Sequence, residues 1–278
     1  MSLRMTPRLP PIRAVLAAAL LAMAAALPLP AAAQLLQGQG DDRVPVTVEA
    51  DNGIEWVRDS KTYIARGNAR AIRGDTTVSA DTLTARYREK PDGTTEIYVM
   101  EADGNVVIAT PRERATGGRA VYNLDKANIV LTGRNLRFTS GDDVITARDT
   151  LEYWQERQVA VARGDAKASR VNQEIRADIL TAYFKEAQKG GTELTRVDAD
   201  GDVVITTPQE VARGREGVYD AIKGTATLDG DVRITRGENQ LNGQRAVVNL
   251  NTGVSRLLPA AKGGERVKGL FTPGTAQQ

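Results

Sequence analysis

The chain has 278 residues, with no cysteine and no histidine, and its 37 basic residues nearly balance 35 acidic ones. These counts exclude disulfides, thiolate nucleophiles, Cys/His zinc sites and the commonest general base. They also leave no net positive field of the kind that nucleic-acid binding requires.

Arg4, Arg8 and Arg13 precede an apolar run from Ala14 to Leu29, which closes on Pro28, Pro30 and three alanines, Ala31 to Ala33. A positive start, a short apolar stretch and a small-residue site predict a cleavable export signal over residues 1–33, cut before Gln34. A membrane span needs about 20 apolar residues, and the prolines interrupt this run too early. Without the three arginines the mature chain carries 34 basic and 35 acidic residues, from totals of 37 and 35. A flexible linker over 34–43 is expected to lead into a domain at 44–258. The closing segment 259–278 is rich in Gly, Pro and charge and is expected to be a disordered tail, with Lys262, Arg266 and Lys268 solvated.

The domain repeats itself. Residues 65–122 align without gaps on 162–219, with about half the positions identical, a signature of internal duplication. Ala65-Arg66-Gly67-Asn68-Ala69 matches Ala162-Arg163-Gly164-Asp165-Ala166, and Ala102 to Ile108 matches Ala199 to Ile205. The duplication is expected to run over 65–161 and 162–258. Inside it lies a shorter unit of about 30 residues, opened by Gly67, Gly104, Gly133, Gly164, Gly201 and Gly230.

Each unit predicts strands. After the glycine, apolar residues alternate, as in Val106 and Ile108, Val203 and Ile205, Val232 and Ile234, which marks a strand with one buried face. The glycine and the Asn or Asp after it predict a turn. The second half of a unit reads apolar-x-small-x-x-apolar-x-apolar, as in Val78, Ala80, Leu83, Ala85 and Tyr87, or Ile175, Ala177, Leu180, Ala182 and Phe184. The x-x step would flip a plain strand to its other face, so it predicts a bulge or bend that returns the later residues to the interior. The unit with Ile145, Ala147, Leu151 and Tyr153 departs by one residue. Polar turns are expected at 89–93, 188–191, 222–224 and 251–253. Short strands at regular spacing imply an all-β sandwich, barrel or solenoid of about six strand-turn-strand units.

Carboxylates remain as candidates for chemistry: Asp81 and Asp178 at the bends, Asp103 and Asp200 before the glycines. They recur with the repeat, which favours a turn or bulge role over paired catalysis. The stretches at 103–105 and 200–202 lack the further carboxylates of a calcium loop. No catalytic residue, metal or cofactor is expected. An outer-membrane barrel would need aromatic girdles, and outward Arg86, Arg88, Lys185 and Glu186 are charged. A parallel β-helix acting on polysaccharide and a ligand-free scaffold or adhesin stay open on this reading.

The strand starts at Gly-Asn/Asp, the apolar-x-Ala-Asp-x-Leu strands from Val78 to Tyr87 and Ile175 to Phe184, and the opening Val46 to Asp51 resemble the OstA-like, or LptA-type, family of lipopolysaccharide transport proteins, across roughly 44–258. That resemblance implies an antiparallel, jelly-roll-like fold with an open V-shaped groove. It implies a periplasmic, non-enzymatic protein that shields lipid A acyl chains and bridges the inner and outer membranes. The implied partners are lipopolysaccharide, same-fold components at both membranes and further copies in head-to-tail order. Inward residues expected to line the groove are Leu83, Tyr87, Val106, Ile108, Leu180, Phe184, Val203 and Ile205. An open stack of strands leaves two edges, expected at Val46 and Val48 and at Val248 and Leu250, where another chain could add a strand.

Overall fold

The computed structural model describes residues 45–187, 192–249, 252, 254–259 and 266–270. The expected export signal, the linker, Leu250 and Lys262 lie outside the described residues. The described residues form eighteen strands and no helix, hydrogen-bonded into one sheet in which every pairing is antiparallel. They begin with β1 (Thr47–Glu49), β2 (Ile54–Val57), β3 (Thr62–Arg73), β4 (Thr76–Glu89), β5 (Thr95–Ala109) and β6 (Glu113–Asn123). Four short strands follow: β7 (Asn128–Thr132), β8 (Arg137–Ser140), β9 (Asp143–Thr146) and β10 (Thr150–Trp154). The chain then runs through β11 (Val159–Arg170), β12 (Gln173–Glu186), β13 (Thr192–Thr206), β14 (Val211–Asp220), β15 (Thr225–Arg236) and β16 (Asn239–Asn249), ending in β17 (Val254–Leu258) and β18 (Lys268–Leu270). β11, β12 and β13 have the lengths of β3, β4 and β5, namely 12, 14 and 15 residues.

Of the six glycines expected to open turns, only Gly133 follows a strand end, that of β7; the other five do not. Gly67, Gly104, Gly164, Gly201 and Gly230 sit in the middle of long strands, each with φ near +80° and each followed by an Asn or Asp that also has positive φ. At every one the pairing register slips. Asp200 pairs with Glu216 and Val203 with Gly214, so Gly201 and Asp202 oppose Arg215 alone. Two residues against one is a β-bulge, and a glycine in the left-handed region bends the strand sharply. The same sequence serves hairpin turns, which is why it reads as a strand end. The x-x step lies opposite these bulges: Ala80 and Asp81 face Gly104, Asn105 and Val106, and Ala177 and Asp178 face Gly201, Asp202 and Val203, so the extra residue is on β5 and β13.

Because the corners align from strand to strand, they fold the sheet along one line into two leaves. Leaf I contains β1, β8, β9, β18 and one half of each long strand; leaf II contains β2, β7, β10, β17 and the other halves. β3 shows the division: Ile72 pairs with Thr47 of β1, while Tyr63 pairs with Trp56 of β2. The unit that departs by one residue in sequence is where a long strand is split into β9 and β10. The two repeats join without a break, since β7 pairs with β10 and β8 with β9. The sheet is a single V whose inner faces contribute to one apolar cluster, for example Ile108 and Ile175 from leaf I and Leu131 and Leu180 from leaf II. The outer face carries charge pairs such as Arg86 with Glu101 at 2.8 Å and Lys185 with Glu193 at 3.2 Å.

An aspartate braces the corner between β4 and β5. Asp81 accepts hydrogen bonds from Asn105 Nδ2 at 3.0 and 3.2 Å. A Cβ at Gly104 would collide with the Asp81 carboxylate, and one at Gly201 with that of Asp178. Gly201→Ala is therefore expected to destabilise the protein by about 1–3 kcal/mol, from the left-handed φ plus the displaced carboxylate. Urea unfolding of that variant against wild type checks this.

The C-terminal edge differs from expectation. Val248 lies within β16, paired to Ala226 of β15 on one side and Ser255 of β17 on the other, and its side chain is buried. β17 covers the leaf II half of β16, and β18, inside the segment expected to be a tail, covers the leaf I half through Lys268 to Leu270. The edge moves outward because the last long strand has a split partner, as the first one has in β1 and β2. At the other end Val46 and Val48 are exposed, and β1 pairs only with β3 among the described residues.

Candidate functional site

Between the leaves lies a cavity partly open to solvent, running from Ala115 on β6 to Val248 on β16. Its position follows from side-chain size. One inward level of leaf II can be followed through backbone pairing: Tyr122 faces Ile129, then come Tyr153, Ala160, Ala182, Val197, Tyr219 and Ala226. On β5, β6, β7 and β10 this level holds the large residues Met100, Tyr122, Ile129 and Tyr153, while β4 carries Ala85. Ala160, Ala182 and Val197 interrupt it, and side chains this short leave the opposite leaf out of contact, so space opens. Phe138, Ile145, Ile175 and Ile205 line the facing side on leaf I.

The N-terminal end of the groove is filled instead. Trp56 stacks on Tyr63 at 5.8 Å between ring centres, Tyr63 lies 5.1 Å from Tyr87, and Trp56 Nε1 donates to the Tyr87 hydroxyl at 2.8 Å.

Polar groups in the lining are few. Arg170 Nε donates to Asp143 Oδ1 at 2.6 Å, with both side chains largely buried. That hydrogen bond raises the basicity of Arg170 against the effect of burial. Outside the lining, in the connection between β13 and β14, burial pushes the Glu210 carboxyl above the ordinary carboxylate range. Two tyrosines, Tyr153 and Tyr219, also line the cavity. Burial raises both phenols, that of Tyr153 to about 12, so both remain protonated donors at neutral pH.

Of the eight residues expected in the groove, all point to the interior, but only Leu180, Phe184 and Ile205 line the open cavity. Val106, Ile108 and Val203 are packed solid, with 1%, 2% and 0% exposure. Leu83 packs against the same cluster and Tyr87 belongs to the aromatic stack. The alternating pattern identifies the inward face but does not tell filled from empty space. Sequence reasoning missed Ala160, Ala182, Tyr153 and Tyr219; the signal was the run of small residues across neighbouring strands, visible only once register is known. Among the described residues, no group of His, Cys, Asp and Glu side chains is placed to hold a metal ion.

A sequence model of the LptA/(LptD N-terminal domain) LPS transport protein family matches the chain twice, over residues 47–149 and 147–254. The chain belongs to this family. The boundary between the two matches falls in the break between β9 and β10, so each copy of the family domain is about seven folded rungs of one continuous sheet. An uncharacterized protein of Rhizobium meliloti (strain 1021) is 29% identical over 104 residues, 36% of this chain and 55% of that protein. The chain thus spans about half the length of the curated relative it matches. Among solved structures, LptH from Pseudomonas aeruginosa, described as the LptA homologous periplasmic component of the lipopolysaccharide transport device, aligns at 12% identity over 83% of this chain and 96% of its own. The TM-score is 0.21.

Proposed function

We propose that this LPS transport family member is an exported periplasmic carrier that shelters the acyl chains of lipid A between its two leaves on the way from the inner to the outer membrane. The observation that carries this reading is the cavity itself: aliphatic on both walls, open to solvent, and enclosed by a charged outer face. An acyl chain gains about 0.8 kcal/mol for each CH₂ removed from water, so such a slot favours long chains without any directional contact. No catalytic step belongs to this function. A photo-crosslinker placed at Leu180, Phe184 or Ile205 is expected to capture lipopolysaccharide, and one at outward Arg86 or Lys185 is not. Equal labelling of the two sets would overturn the reading.

Bridging rests on the two ends of the sheet. Val46, just before β1, and Val48, Ile54 and Trp56 of β1 and β2 are exposed, as are Val254, Leu258 and Leu270 of β17 and β18. Unlike edges that pair head to tail continue the groove of one copy into the next, or into a same-fold partner at either membrane. Replacing Val48 and Ile54 together by lysine should abolish concentration-dependent oligomers in sedimentation while the melting temperature stays within a few degrees of wild type. Unchanged oligomers would exclude that edge.

A further inference from the structure

Buried tyrosine hydroxyls ordinarily find a hydrogen-bond partner. Two tyrosines that line the groove have no such partner among the described residues, and their hydroxyls open onto the solvent-connected slot. Tyr153 is 3% exposed and Tyr219 9% exposed, both line the cavity, and neither hydroxyl takes part in a side-chain hydrogen bond among the described residues. The two stand at one inward level of leaf II, four strand steps apart through Ala160, Ala182 and Val197. At the usual strand spacing that is about 19 Å along the groove. They flank the slot that the small residues open.

We infer that Tyr153 and Tyr219 are polar fixed points of the groove, each donating its hydroxyl proton to a carbonyl oxygen of an ester- or amide-linked acyl chain lying in the Ala160–Ala182 slot. This rests on the lipid-carrier reading and adds the chemical class that the groove prefers. An acyl chain fills the aliphatic part of the slot. The first polar atom at its end is the linkage carbonyl, an acceptor without a proton of its own. A phenol held protonated in an apolar wall is the matching donor, and the lipid carbonyl takes the place of the water that the open slot otherwise supplies. A span of about 19 Å is too long for one linkage, so each tyrosine serves a separate carbonyl. The groove therefore selects acylated lipids over hydrocarbon chains of equal length that lack the carbonyl.

The test compares dimyristoyl phosphatidylglycerol with its ditetradecyl ether analogue, which keeps headgroup and chain length but has no linkage carbonyl. Purified lipopolysaccharide is titrated alongside. Wild type is expected to prefer the ester lipid by about tenfold, the order of magnitude of net hydrogen bonding to two carbonyls. Tyr153→Phe and Tyr219→Phe should each reduce that preference about threefold, and the double variant should bind ester and ether alike. Tyr122→Phe makes the same chemical change in a buried tyrosine that does not line the cavity. It should leave the preference intact, which separates a ligand contact from a folding effect. Uptake of lipids and lipopolysaccharide without ester preference, or a preference that survives the double substitution, overturns the inference and leaves the carrier reading standing. Failure of wild type to take up any of the three overturns both.

Discussion

Ala182→Trp is expected to abolish lipopolysaccharide binding while the protein stays folded. Ala182 lies in the row of small residues that holds the cavity open, between Ala160 and Val197. An indole there occupies space that an acyl chain otherwise fills and touches the aliphatic wall of leaf I. Binding should weaken by at least about a hundredfold, because the slot is blocked rather than one contact removed. Stability should be unchanged or raised by up to about 2 kcal/mol, since the ring buries apolar surface without displacing packed neighbours. This combination is informative: overpacking a filled core costs stability, whereas filling a functional void does not. Lys185→Trp, on the exposed outer face, adds the same ring and should leave binding at the wild-type level. Titration of lipopolysaccharide against the three proteins, with thermal melts of each, checks both halves of the expectation. A strongly destabilised Ala182→Trp would mean that the leaves close at this level.

The second large effect is expected at a position that the sequence places in the groove and the structure places in solid core. Ile108 is 2% exposed and pairs with Val78 and Ala115, both part of the same apolar cluster. Ile108→Asp puts an unpaired carboxylate there and should cost about 3–5 kcal/mol at neutral pH, enough to unfold much of a protein of ordinary stability. The pH dependence has a definite sign. Burial raises the folded-state pKa of the new carboxyl above its unfolded value, so the folded state holds the proton more tightly. Relative to wild type, the penalty is relieved as pH falls through that raised pKa and is fully present above it. Ile108→Val, which removes one methyl group, should cost only about 0.5–1.5 kcal/mol at every pH. Urea unfolding of both variants between acidic and neutral pH measures the difference. A loss for Ile108→Asp that does not change with pH would place the residue in contact with water.

The fold class was legible in the sequence for two physical reasons. Alternation over Val106 to Ile108 and Val203 to Ile205 marks one buried face, and the unbroken match between the repeats requires that whatever one half does the other does too. The corner at Ala80-Asp81 and Ala177-Asp178, which faces the bulges of β5 and β13, was legible because the apolar pattern changes phase there. The corners at Gly104-Asn105 and Gly201-Asp202 were misread, since a left-handed Gly followed by Asn or Asp is equally the chemistry of a hairpin end and of a mid-strand bulge. Only the pairing partner, Arg119 or Glu216 carrying on past the glycine, decides between them. The site was legible as a face and not as a place. Whether an inward residue touches ligand or neighbour depends on what stands across the V, so Val203 is core while Ile205, two residues on, lines the cavity. The C-terminal edge was misplaced because β18 is three residues, Lys268 to Leu270, within a Gly-rich segment whose local pattern carries no strand signal.

The central claim is that the space between the leaves is a lipid site. Its most direct test is lipid extraction and mass spectrometry of the exported protein purified without detergent, wild type beside Ala182→Trp. Wild type is predicted to carry lipid A-bearing lipopolysaccharide and the tryptophan variant none. The same lipid recovered from both proteins, or none from wild type, would contradict the account.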